Sequence, residues 1–431
     1  MASWRTKSAL LLTSALVTGL TMAQGTGAAT DDVSELLNPA AIAASACGRG
    51  GTNAANFKPT RDGQVQLALA TPAEAVKADS GPPLWEGLGT LSFPITTDSE
   101  EAQAYFDQGL RLTYAFNHAE AYRAYKKAQE LDPGCAMCFW GEAFVLGANI
   151  NAPMEDGAVQ PAFIALTNAK ARAGKASARE QALIDALASR YAASADADGA
   201  ALAKAYADAM AEAHAQHPDD QDIAVLFADS VMNTSPWDYW EADGLTPKGR
   251  LGEALDAIEG VLAANPEHPG AIHLYIHLTE ASADPHRAEP YADRLAALMP
   301  AAGHIVHMPA HTYYRIGRYL DALETNIKAV AADEAYLAQV EATGAYPYGY
   351  YPHNIHFALV SAFMAGDAKN AAWASERLEG KVKDEVAADI GWIQIIKQGP
   401  YFVHAHMSEP ETILAIEDPG DTFPLVKAMW H

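Results

Sequence analysis

From about residue 98 onward, apolar residues recur at spacings near 3.6 in an Ala-, Leu- and Glu-rich sequence. That period places one apolar stripe on each of a series of helices. Upstream, Gly, Ser, Thr and Pro are scattered without a helical period, and SFPITT (92–97) reads as a short extended segment that packs on the first helix. Asp98 or Ser99 followed by Glu100 and Glu101 suits a helix N-terminus. There a side-chain oxygen accepts from an otherwise free N–H, and acids offset the helix dipole. The pattern predicts a nearly all-α body.

The predicted helices come in pairs with a fixed period. Pro266 of AANPEHPGA and Pro300 of ALMPAAGH lie 34 residues apart, the tetratricopeptide period. In EEAQAYFDQGLRLTYAFNHAEAYRAYKKAQELDP, Gly109, Ala121, Tyr125, Ala128 and Pro133 occupy the positions where that repeat wants small, small, aromatic, small and proline. Gly and Ala let two antiparallel helices approach, Tyr125 fills the gap, and Pro133 ends the second helix. Ala310, Gly317, Ala322 and Ala329 play comparable parts further on. The predicted fold is an all-α, tetratricopeptide-like α-solenoid of about six irregular helix pairs. Two inserts break the period, one containing NTSPWDYWEADGL (233–245) and one containing ATGAYPYGYYP (342–352). Rich in Trp, Tyr, Gly and Pro, they are too apolar to stand free in water, and they are expected to fold over the inner surface as walls or lids.

Three segments follow. Residues 1–29 read as a secretory signal peptide: Arg5 and Lys7 precede an apolar stretch of about twelve residues and then small residues. Residues 30–90 read as a flexible leader, and 91–431 as the helical array. The expected location is therefore periplasmic or secreted, with no transmembrane span. The net charge of −25 argues against a nucleic-acid partner, because neutralising phosphates needs clustered Lys and Arg. Cys135 and Cys138 form a CAMC pair suited to a local disulfide in an oxidising compartment, and Cys47 stands alone. A metal-binding pair would want a second such pair or histidines nearby in sequence.

The chemistry concentrates in histidines. His273 and His277 of HLYIH recur 34 residues later as His307 and His311 of HMPAH, with His304 three residues earlier. Aligning Gly366 with Gly317 puts His356 in the column of His273 and His307, and His353 in the column of His304. Side chains at i and i+4 share one helix face. Glu280, Tyr314 and Arg315 fall beside these columns, and Trp237 and Trp240 come from the first insert. These five are candidate ligand-contacting residues, and the seven histidines are candidate metal ligands. Imidazole-rich ligation suits Cu, Zn or Fe and selects weakly among them. Glu280 as a ligand would tilt the site toward Fe, Mn or Zn, and the nearby Met308 toward Cu. Both pairs lack the Glu of the zinc-protease helix, and no phosphate loop, nucleophile elbow or haem-attachment motif is present. Three readings stay open: a transition-metal site, whether or not part of an enzyme acting on a small substrate; a non-catalytic groove for a peptide or partner protein; and a structural polar network. No catalytic residue is singled out. His118, His214, His217, His268 and His286 lie outside the columns and read as surface.

The stretch from FPITTDSEEAQAYFDQGL to GANINAPM, together with HPGAIHLYIHLTEAS and HIVHMPAHTYYRIGRYLDALETNIKAV, resembles a family of exported bacterial tetratricopeptide proteins of uncharacterised activity, over roughly residues 90–415. The resemblance implies fold and a periplasmic setting rather than a reaction. It also implies that the histidine columns, on first helices, line a concave groove. The final FPLVKAMWH resembles the start of another first helix.

Overall fold

The computed structural model describes residues 81–154, 156–194, 197–340, 342, 346–389 and 393–431. The signal peptide, most of the leader and Cys47 lie outside the described residues. Among the described residues the chain is all-α, with two isolated β-bridges and no strand.

The helices are α1 (Glu100–Tyr114), α2 (His118–Leu131), α3 (Ala136–Val145), α4 (Val159–Arg172), α5 (Ala178–Leu187), α6 (Gly199–Gln216), α7 (Gln221–Met232), α8 (Leu251–Ala264), α9 (Pro269–Thr279), α10 (Glu289–Leu298), α11 (Gly303–His307), α12 (Pro309–Arg315) and α13 (Tyr319–Leu337). A π-helical turn at Tyr346–Tyr350 then leads into α14 (Tyr351–Ala365), α15 (Ala368–Leu378), α16 (Asp384–Asp389), α17 (Ile393–Met407), α18 (Pro410–Leu414) and α19 (Pro424–Trp430). Successive helices pack as antiparallel hairpins, α1 on α2, α3 on α4, α7 on α8, α11–α12 on α13 and α14 on α15. The hairpins stack side by side, as the 34-residue period requires.

Local chemistry sets the boundaries. Ser99 is the N-cap of α1, its hydroxyl accepting from the Ala102 N–H. Tyr125 is fully buried, and a Cβ added at Gly109 or Gly141 would stand 2.7 or 2.3 Å from its ring. Only glycine on both sides lets α1 and α3 close on that aromatic. Cys135 and Cys138 are joined as a disulfide at the start of α3. Pro309 has no N–H to give the preceding turn, so the run from Gly303 to Arg315 divides into α11 and α12 at Met308. Gly317 and Gly366, aligned in the sequence, both have left-handed backbones (φ 84° and 70°) just past α12 and α14. At the far end, Phe423 and Val426 are buried as α19 packs on α17.

The stack closes on itself. α9 packs against α1, and Gly270 sits against the ring of Tyr114. The extended segment before α1 reaches the later hairpins: Trp85 packs edge-on to Tyr336, and the Gly87 carbonyl accepts from the Ala301 N–H. The first insert folds as a tight loop, with Tyr239 and Glu241 paired to Lys248 and Thr246, and is tied to the end of α9 by Ala283 N–H to the Gly244 carbonyl. The second insert lays its π-turn over α11. The columns of histidines on α9, α11, α12 and α14 are thereby enclosed.

Candidate metal centre

Six of the seven column histidines gather into two triads, His273, His277 and His304, and His307, His311 and His353. In each triad the possible ligand nitrogens all lie within 4.8 Å of one another. All six side chains are buried, none more than 2% exposed. Each triad takes a HxxxH pair from one first helix and a third histidine from the next first helix. α9 supplies His273 and His277, and α11 supplies His304; α11 and α12 supply His307 and His311, and α14 supplies His353. One triad is thus the other moved along by one repeat.

Hydrogen bonds fix which nitrogen of each ring is available. His273 Nδ1 stands 2.6 Å from the carbonyl oxygen of Tyr114, and His307 Nδ1 stands 2.6 Å from Oδ1 of Asn326. Asn326 is oriented by donating its amide to the Ala322 carbonyl. Glu280 spans the two triads, one carboxylate oxygen 3.1 Å from His277 Nδ1 and the other 2.8 Å from His311 Nδ1. All four acceptors require the proton on Nδ1, so in the neutral ring Nε2 carries a bare lone pair. Those four lone pairs face each other, Nε2 of His273 and His277 3.1 Å apart and Nε2 of His307 and His311 2.8 Å, and Nε2 of His353 lies 3.1 Å from that of His307. His304 is buried with no hydrogen-bond partner for either ring nitrogen among the described residues.

Burial, reinforced by neighbouring imidazoles, drives the pKa of His273, His304, His307 and His353 well below 6.5, so these rings are neutral at neutral pH. Burial also lowers His277, partly offset by Glu280. Burial alone would raise Glu280, but the imidazoles of His311 and His277 outweigh it and hold the carboxyl below its usual range. Facing lone pairs in a dry interior are unfavourable unless a cation lies between them. For bonds of about 2.0–2.1 Å, two nitrogens on one ion stand about 2.9 Å apart at a right angle and about 3.3 Å apart at the tetrahedral angle. Two of the observed spacings, 3.1 Å each, fall within that range, and the third, 2.8 Å, falls just below it. Donation of Nδ1–H to carboxylate, amide or carbonyl is the outer-shell pattern of histidines that bind metal through Nε2. Both triads fit a transition-metal ion.

Aromatic rings wall the centre. Phe116 packs on all three histidines of the first triad, with ring centroids 4.5, 6.1 and 5.3 Å from His273, His277 and His304. Phe357 does the same for the second, at 5.0, 4.8 and 5.6 Å from His307, His311 and His353. Trp237 of the first insert lies edge-on to His277 at 4.9 Å, and Tyr350 of the second lies against His304 at 4.7 Å. Among the described residues Phe116 and Trp237 are the non-glycine positions with positive φ, 55° and 64°, and both rings touch His277. A bulky residue held in that region is strained, and such strain concentrates at functional sites. A cavity of about 20 Å³, room for one water, is lined by Phe116 and His273 together with His118, Asn149 and Asp229.

Several sequence expectations are corrected. His356 is buried but joins neither triad; it packs toward Gly399 on α17. A HxxxH pair starting at His356 would need histidine at 360, where Val360 stands. Glu280 holds histidine rings with both oxygens rather than facing a ligand. Arg315 is exposed, because α12 ends there and the turn swings its side chain outward. Trp240 donates its indole N–H to the Leu278 carbonyl and packs on the rear of α9. Tyr314 is buried against Phe357, one ring removed from the histidines. His268 is buried at the N-cap of α9 rather than exposed, accepting from the Ala271 N–H. Phe116, Phe357, Tyr114 and Asn326 were not anticipated. Phe357, four residues after His353 on the same helix, was within reach of the spacing argument; Phe116 was not.

No family model matches the chain, and no curated protein matches it significantly. Among solved structures it is similar to a tetratricopeptide repeat protein from Parabacteroides merdae ATCC 43184, at 12% identity and a TM-score of 0.32, the match covering 69% of this chain and 100% of that one. A likeness that distant bears no weight.

Proposed function

We propose that this chain is an exported metalloprotein whose inner face holds two transition-metal ions side by side, one on His273, His277 and His304 and one on His307, His311 and His353. The observation that carries the reading is the set of opposed, buried Nε2 atoms whose Nδ1 protons are already committed to Tyr114, Asn326 and Glu280. A merely structural polar network would pair donors with acceptors; here acceptors face acceptors. A peptide-binding groove would leave the histidines accessible along its length. Instead all six are buried, the inserts covering His277 and His304 and Phe357 covering the second triad, which favours an ion-sized or small-molecule site. Export rests on the basic and apolar N-terminal segment with its small residues.

Elemental analysis of protein recovered from the exported fraction tests the reading. About two transition-metal ions per chain are expected, falling to about one in His277→Ala or in His311→Ala, and to none when both are combined. A chain that is folded and metal-free, and that takes up no metal when supplied with it, would return the histidines to a structural role.

A further inference from the structure

The charge and dryness of the two triads discriminate among the metals that imidazole accepts. Six neutral nitrogens supply no negative charge, and among the described residues the one carboxylate that touches the rings is Glu280, whose two oxygens are both occupied by Nδ1–H donors. Two divalent ions would therefore leave the buried centre with a net charge of about +3, and two monovalent ions with about +1. Repulsion between the ions scales with the product of their charges, so it is about fourfold larger for the divalent pair. Coordination number points the same way. Zinc with three protein nitrogens completes a tetrahedron with water or substrate. Phe116 and Phe357 each cover all three rings of one triad, and Trp237 and Tyr350 close the flanks of the first. A hydrated fourth position is disfavoured on the covered side of either triad.

We infer that the two triads are built for a pair of copper(I) ions, each three-coordinate and backed by its own phenylalanine. The inference rests on the dinuclear reading above and adds the identity and charge of its occupants. Copper(I), with a single charge and no need of a fourth ligand, meets both constraints, whereas Zn(II) and Fe(II) meet neither. Glu280, shared between the triads, balances one of the two charges.

The test uses the full-length mature chain, stripped of metal and handled without oxygen. Cu(I) is titrated against bicinchoninate, and Zn(II) against a chromophoric zinc chelator in a parallel series. Two Cu(I) per chain are expected, giving a colourless, EPR-silent complex, and prior loading with Zn(II) should not block copper uptake. Phe116→Asn and Phe357→Asn open room for water and should raise zinc affinity relative to copper by at least about tenfold, with circular dichroism checking that each variant folds. Should a variant fail to fold, the unmodified chain still decides. Two Zn(II) ions retained against excess Cu(I) would overturn the copper assignment and leave the dinuclear reading standing. Uptake of a single Cu(I) would overturn the pairing, and a chain that binds neither metal would overturn both proposals.

Discussion

At the scale of single residues, Glu280 links the two triads more tightly than any ligand does. Its oxygens orient His277 of one triad and His311 of the other, so losing either contact frees a ring of each site to rotate. Glu280→Gln keeps the shape but turns an amide N–H₂ toward one ring N–H, opposing two donors. Loss of such an outer-shell partner lowers metal affinity by about 10–100-fold. Competition titration of the variant is expected to show that loss at both sites, and an unchanged affinity would mean that the carboxylate does not set ring orientation. The sequence made the HxxxH pairs of both triads legible because they sit 34 residues apart in register. It misplaced His356 and missed the partition of His304 and His307, which lie on one helix yet serve different triads. Column position identifies a face; which neighbour a ring meets depends on helix crossing and on the next repeat, neither of which a 34-residue count contains. Arg315 shows the same limit, since it is the last residue of α12 and is exposed despite its place in sequence beside the columns.

At the scale of elements, α11 is positioned by a buried lock. Asp333 on α13 accepts from the hydroxyl of Tyr346 at 2.8 Å and from the amide of Asn354 at 2.7 Å, and the Tyr346 oxygen in turn accepts the His304 N–H. One carboxyl thus ties α13, the π-turn and α14 to the start of α11, which carries His304 and His307. Gly303 opens that helix, and a Cβ there would stand 1.8 Å from Asp333 Oδ1. Gly303→Ala must displace the carboxyl or the helix, and overpacking of this kind costs about 1–3 kcal/mol. Thermal unfolding of the metal-free variant is expected at a temperature several degrees lower, together with weakened binding at both triads. Retained stability with intact binding would show that the lock yields freely. Hairpin layout and the Ser99 cap follow from periodicity and capping chemistry, and so were readable, whereas the break at Pro309 was not drawn from the sequence. The insert loops were readable as covers because of their aromatic content. That their contacts are Trp237 on His277 and Tyr350 on His304, rather than Trp240 on a ligand, follows from the strained turn at Trp237 and the hydrogen bond of Trp240 to α9.

For the whole molecule, enclosing the imidazoles couples folding to pH. Their folded pKa values lie below that of an exposed histidine: burial takes His356 down to about 4, and burial with neighbouring rings takes His273, His304, His307 and His353 well below 6.5. Between the folded and unfolded values the unfolded chain binds more protons, so stability rises with pH there and is lost as pH falls below about 6.5. Asp333 acts in the opposite direction. Burial raises it to about 7, against the pull of Tyr346 and Asn354, so its contribution is greatest below about 4 and is lost as pH rises through 7. Burial raises Asp107 and Asp229 as well, but it also lowers His118, His214 and His277, so eight histidines stand against three aspartates and the net slope is positive. Denaturant unfolding of the metal-free chain is therefore expected to show falling stability from pH 7 to pH 4. His356→Leu should make that slope shallower, by up to roughly 3 kcal/mol over the interval at about 1.4 kcal/mol per pKa unit. Asp333→Asn should make it steeper, since it removes the opposing term. A flat profile in the unmodified chain would mean that the rings titrate as if exposed to solvent, and a shallower one in Asp333→Asn would mean that the carboxyl does not oppose them. Metal sharpens the dependence because it competes with protons for the same Nε2 atoms. Loaded protein should stand well above metal-free protein in stability at pH 7 and converge with it near pH 4, where protonated imidazoles release the ions.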